Sequence, residues 1–177
     1  FAVGCTYKFL NGGPGAPGFL YVAPRHQEVQ NPLPGWMGHA RLFDFEATYE
    51  AAPGIKRFLT GTQSVLALSA VSASLSVFEE LTMLDVRSRS LALTRHFITL
   101  WEQSSILQSY AALITPVDDA QRGSQVSLAL EHALPVSQAL IADGVIVDFR
   151  EPNIVRFGFS PLYNGFGDAD QAIASLE

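Results

Sequence analysis

The chain has 177 residues, 48% hydrophobic and 16% charged, with a net charge of −6. That balance excludes a disordered chain, and an acidic excess without any basic run excludes nucleic acid and anionic membrane surfaces as partners. A single cysteine, Cys5, excludes an internal disulfide framework and fits a reducing compartment, so a cytoplasmic location is expected.

No apolar run reaches the ~18 residues that a membrane span requires, and the first residues show no signal-peptide pattern. Residues 1–5 read as a short buried strand and residues 19–23 as a second. Between them lies Lys8, one of only two lysines, the other being Lys56. Lys8 follows an apolar run and is expected in a partly buried site. Burial disfavours an ammonium, and a neutral amine is a nucleophile that forms a Schiff base with a carbonyl. The alternative is a strand-end lysine whose stem packs while its head reaches water. Gly12, Gly13, Gly15 and Gly18, with Pro14 and Pro17, build a turn that lets backbone approach a ligand closely, although ordinary turns share this composition. Cys5 has no neighbouring cation in sequence and reads as a small buried hydrophobe rather than a reactive thiol.

Residues 24–38 are loop, broken by Pro24, Pro32, Pro34 and Gly35, with Trp36 as a large aromatic that anchors it locally. His39 reads first as a structural, hydrogen-bonded histidine and second as a site residue; His26, His96 and His132 are scattered and show no metal-ligand spacing. Residues 57–63 lead into a helix over 64–81 that Thr60 or Thr62 caps. A second helix spans 84–103, with Leu91, Leu93, Phe97, Ile98, Leu100 and Trp101 on its packing side. Strands follow at 111–115 and 125–130, the latter alternating strictly, then a helix over 134–143 that Gly144 ends. Strands at 145–149 and 154–159 flank a turn at 151–153, and a last helix covers 167–177 with Asp168 or Asp170 near its N-terminus. This order predicts a small α+β domain with a largely antiparallel sheet. Arg156 lies in the apolar run Ile154, Val155, Phe157. It is either an edge arginine that faces solvent or pairs with Glu151, or a planar fork for a carboxylate.

The segment Thr-Tyr-Lys-Phe-Leu-Asn-Gly-Gly-Pro-Gly at residues 6–15 resembles the lysine segment of the kynureninase family, pyridoxal-phosphate enzymes of the aspartate-aminotransferase fold group. Segments at 35–39, 57–63, 122–127 and 149–163 agree with the same family in the same order. The resemblance implies an α/β, fold-type I, pyridoxal-phosphate-dependent transferase-like fold. Residues 1–80 would form the end of the large cofactor domain, with the lysine loop and a linking helix, and 81–177 the small C-terminal domain.

By the same resemblance Lys8 carries pyridoxal 5'-phosphate, and Tyr7 touches its phosphate and helps move protons. Trp36 and Thr62 reach the phosphate of a partner subunit in a homodimer with shared active sites. Arg156 binds the α-carboxylate of L-kynurenine. The implied reaction is hydrolytic cleavage of L-kynurenine, or 3-hydroxykynurenine, to anthranilate, or 3-hydroxyanthranilate, and L-alanine, in tryptophan catabolism and NAD biosynthesis. In the family, a preceding part supplies the aspartate at the pyridine nitrogen, the aromatic stacked on the ring and much of the phosphate cup. The chain is therefore expected to be the C-terminal portion, inactive without the N-terminal remainder of the same enzyme. Two other readings stand beside this one. Another enzyme of the fold group, a cysteine desulfurase or an aminotransferase, is the first, although a desulfurase needs a catalytic cysteine on a mobile loop, where Cys5 does not lie. A catalytically silent dimerisation module is the second.

Overall fold

The computed structural model describes residues 1–177. The chain divides into two compact units, Phe1–Glu79 and Glu80–Glu177.

In the first unit, β1 (Ala2–Cys5) and β2 (Gly18–Tyr21) form an antiparallel hairpin in which Ala2 faces Tyr21 and Cys5 faces Gly18. Single turns of 3₁₀ helix at Pro24–His26, Trp36–Gly38 and Gly54–Phe58 shape the loop that follows. Helix α1 (Val65–Leu75) runs into a further 3₁₀ turn at Ser76–Phe78. Two expectations fail here. The hairpin is not buried: Phe1, Val3, Phe19, Leu20 and Tyr21 are all exposed, because a two-stranded sheet alone cannot enclose its own side chains. The expected helix over 64–81 stops early, and its N-cap is Ser64, which makes no side-chain cap bond, rather than Thr60 or Thr62. The serines explain the weakness. Ser69, Ser74 and Ser76 donate their hydroxyls back to the carbonyls of Val65, Val71 and Ala73 at 2.8–2.9 Å, which competes with the helical ladder.

The second unit opens with α2 (Met83–Gln103). Its N-terminus is held reciprocally: the Asp85 N–H donates to Thr82 Oγ1 at 3.2 Å, and the Thr82 N–H donates to Asp85 Oδ2 at 2.9 Å. A short helix, α3 (Ser105–Tyr110), follows; six residues are too few to display a period in sequence. Then come β3 (Ala111–Leu113), β4 (Gln125–Leu130), α4 (Ala133–Ala142), β5 (Asp148–Arg150), β6 (Ile154–Gly158) and α5 (Phe166–Leu176). The four strands lie in the order β3-β4-β6-β5 and every neighbouring pair is antiparallel. The strict alternation of β4 points Val126, Leu128 and Leu130 into a core that they share with Leu93, Phe97, Leu107, Val155, Phe157 and Ile173. Gly144 ends α4 with φ +88°, a left-handed conformation that a side chain would resist.

Asp168 caps α5, and Asp170 instead pairs with His96 at 2.6 Å. The Asp168 carboxylate accepts from Asn164 Nδ2 at 3.0 Å and from the Gly165 N–H at 2.8 Å. These two donors, the Asn164 amide first, hold its pKa below the usual carboxylate value. A depressed native pKa contributes stability above the unfolded value near ~3.9 and loses it as pH falls through the lower native value. Asp168→Asn is therefore expected to flatten the acid limb of Tm against pH below about pH 4. A variant whose acid limb matches that of the parent would show that this cap contributes nothing.

Candidate functional site

The lysine loop is built by its own backbone. The Asn11 N–H donates to the Lys8 carbonyl and the Gly12 N–H to the Thr6 carbonyl, both at 2.9 Å, so residues 6–12 close on themselves. Thr6 is buried and its hydroxyl donates to the Pro17 carbonyl, tying the two ends of the loop together. Asn11 takes φ +56°, which asparagine tolerates better than most residues. Gly12 has no room for a side chain: a Cβ there would stand 2.9 Å from the Thr6 carbonyl oxygen and 3.0 Å from Val71 of α1. Gly13 and Gly15, at φ +76° and +90°, have nothing within 4 Å of a Cβ, so the turn is packed on its inner side and open on its outer side.

Lys8 stands on this loop with its side chain exposed, not partly buried as its apolar neighbours suggested. Cys5 is likewise exposed rather than buried. Both corrections have one cause: the hairpin that carries them has no covering layer in this unit. The Lys8 ammonium lies 5.3 Å from the centroid of the Tyr7 ring, a cation–π contact, and no carboxylate pairs with it. An open amine beside a half-exposed phenol, on a loop with an open outer side, fits a group that carries an aldehyde and an anionic phosphate.

A second part of the first unit brings together the segments of Trp36 and Thr62. Gly35 touches the backbone of Thr60 so closely that a Cβ would lie 2.0 Å from the Thr60 carbonyl oxygen. Gly38 meets the Leu59 carbonyl in the same way, at 2.6 Å. The 3₁₀ turn that bears Trp36 is thus seated directly on the extended segment that leads to Thr62. Arg57 braces the arrangement from inside. It is buried, donates to the carbonyls of Ala52 at 3.2 Å and Val29 at 3.4 Å, and pairs with Glu28 at 2.7 Å. Trp36 and Thr62 themselves are exposed, so their N–H and O–H remain available to a ligand. His39 is held locally: its Nδ1 accepts from the Arg41 N–H at 2.9 Å and its Nε2 lies 3.3 Å from the Thr48 carbonyl.

In the second unit Arg156 projects from β6 on the face of the sheet opposite Val155 and Phe157. Its register partners are Ser127 on β4 and Asp148 on β5. The ion pair with Glu151, one of the alternatives open in the sequence, does not form; Arg156 Nη2 donates to Asp148 Oδ2 instead. Glu151 lies in the hairpin turn, whereas Asp148 sits directly across the ladder. Asp148 and its second partner Arg150 were not singled out in the sequence, although their spacing of two on a strand adjoining Arg156 carries the signal.

Three kinds of comparison bear on the chain. A family model described as the kynureninase C-terminal domain matches residues 86–176. The kynureninase of Deinococcus radiodurans is 50% identical over 178 residues, covering 99% of this chain and 43% of that protein. The kynureninase of Burkholderia mallei is 49% identical over 176 residues, covering 99% of this chain and 42% of that protein. The chain thus spans less than half the length of the curated relatives it matches. Among solved structures, the apo cysteine desulfurase of Thermococcus onnurineus shares the fold at a TM-score of 0.76 and 18% identity, over 93% of this chain and 44% of that one. The C-DES protein, a mutant with glycine covalently linked to its PLP cofactor, superposes at a TM-score of 0.69 and 19% identity, over 92% of this chain and 42% of that one. The likeness establishes a fold-type I architecture, α/β as the sequence implied.

Proposed function

The chain belongs to the kynureninase family, and from that premise we propose that it is the C-terminal part of a pyridoxal-phosphate-dependent enzyme that hydrolyses L-kynurenine, or its 3-hydroxy form, to anthranilate, or 3-hydroxyanthranilate, and L-alanine. The observation that carries the proposal is identity of about half over 99% of the chain to curated kynureninases, with the lysine loop included in the matched length.

Bound pyridoxal phosphate supplies an electron sink for cleavage of bonds near the amino-bearing carbon of the substrate. The residues of this chain would supply part of the remaining machinery. The Lys8 amine would hold the cofactor and would carry a proton to and from the substrate Cα. Tyr7, whose ring adjoins Lys8, would donate towards the phosphate and relay protons. The Trp36 indole N–H and the Thr62 hydroxyl would donate to the phosphate held by a second copy of the chain in a homodimer. Arg156 grips the α-carboxylate through its guanidinium fork. One water is consumed: its oxygen ends in the new carboxyl group of anthranilate.

The fold neighbours are desulfurases, yet Cys5 is locked in β1 opposite Gly18 and lies on no loop. The test is a product assay on the full-length protein loaded with pyridoxal phosphate. Equimolar anthranilate and L-alanine from L-kynurenine are expected. Sulfur release from cysteine, with kynurenine left intact, would overturn the proposal.

A further inference from the structure

The polar face of the four-stranded sheet holds one acid between two arginines. Asp148 and Arg150, two apart on β5, project to the same side, and Arg156 faces Asp148 across the ladder. The two carboxylate oxygens of Asp148 are divided between them: Oδ2 accepts from Arg156 Nη2, and Oδ1 forms an ion pair at 2.9 Å with Arg150 Nη1, which donates its hydrogen bond to the Phe149 carbonyl at 3.1 Å. On the other flank Ser127 offers Arg156 nothing charged. Its hydroxyl accepts from Gln125 Nε2 at 3.0 Å, and its N–H donates to Thr115 Oγ1 at 2.8 Å. Arg156 Nε is buried without a partner, so the bond to Asp148 is the one polar contact that sets the orientation of the guanidinium.

We infer that Asp148 is a positioning residue for Arg156, and that Arg150 keeps Asp148 neutralised when Arg156 engages the carboxylate of the substrate. The inference rests on the reading of Arg156 given above. An acid that served Arg156 alone would compete with an incoming carboxylate and repel it. With Arg150 on its other oxygen, Asp148 holds the fork without remaining a bare anion beside the substrate. Two guanidiniums and one carboxylate leave a single positive charge in the row, and one substrate carboxylate completes it. The arrangement selects an amino-acid substrate with a free α-carboxylate over the corresponding amine.

The experiment uses the full-length, cofactor-loaded enzyme and two ligands, L-kynurenine and its decarboxylated amine, the latter as a competitive inhibitor. Asp148→Asn is expected to raise KM for kynurenine about tenfold, the effect of one lost hydrogen bond to a charged group, with kcat little changed. Arg150→Gln, an exposed change that spares the fold, is expected to raise KM several-fold. In Asp148→Asn/Arg150→Gln that second increment should vanish, because the acid that Arg150 neutralises is gone. Ki for the amine should not move in any of the three. A lower KM in Asp148→Asn, additive effects in the double variant, or equal shifts for both ligands would each overturn the inference. Arg156→Lys separates this from the underlying reading. If it weakens kynurenine and the amine equally, Arg156 is not the carboxylate residue. If it weakens kynurenine alone while the Asp148 and Arg150 variants leave KM unchanged, only the inference fails.

Discussion

Lys8→Ala in the full-length enzyme is expected to lower the turnover of L-kynurenine by about 10³-fold or more, because in the proposed role Lys8 is both the covalent anchor and the proton carrier, and a positioned acid–base group alone supplies about 10²–10⁴-fold. Borohydride reduction of the loaded enzyme followed by peptide mapping should place the cofactor label on Lys8. Lys56, the other lysine, is exposed on the 3₁₀ turn Gly54–Phe58, and a label found there would refute the assignment. The same variant tests whether active sites are shared. A Lys8→Ala protomer mixed with a Thr62→Ala protomer makes a dimer in which one site loses both groups and the other keeps both. Mixing two weakly active variants should then restore activity. If every site draws Lys8 and Thr62 from one protomer, the mixture will stay as inactive as its components.

Phe97→Ala carries the largest expected cost to stability, about 3–5 kcal/mol. Phe97 is fully buried on α2, with ring centroids 4.8 Å from Phe157 and 5.6 Å from Phe159. Truncation removes the apolar contacts of the ring, leaves a cavity against β6 and abolishes two aromatic pairs. Domains of this kind are stable by about 5–15 kcal/mol, so the variant should lose a large share of that margin and shift its urea midpoint strongly. A loss below about 1 kcal/mol would mean that the helix–sheet packing is organised around other side chains.

What could be read from residues alone was local. The alternation over 125–130 defined β4 at both ends because inward and outward side chains differ at every step of a half-buried strand. The 3.6-residue pattern of α2 named Leu93, Phe97 and Ile98, which are fully buried. Gly144 marked the end of α4 because its left-handed φ is a property of that one residue. The ten-residue lysine segment pointed to its family for the same reason: its chemistry and its turn lie within one short stretch.

The remainder depended on contacts between distant positions. The partner of Arg156 is Asp148 rather than Glu151 because strand register, not closeness in sequence, sets which residues face each other. The exposure of Lys8 and Cys5 reflects what covers the hairpin, and no pattern within β1 encodes a covering layer. The contact of Gly35 with Thr60 joins segments 25 positions apart, and only the folded backbone reveals that the Trp36 turn rests on the approach to Thr62. Periodicity, caps and turns are short-range and are written in neighbouring residues. Register, layering and close backbone approach arise from pairs that meet only when the chain has folded.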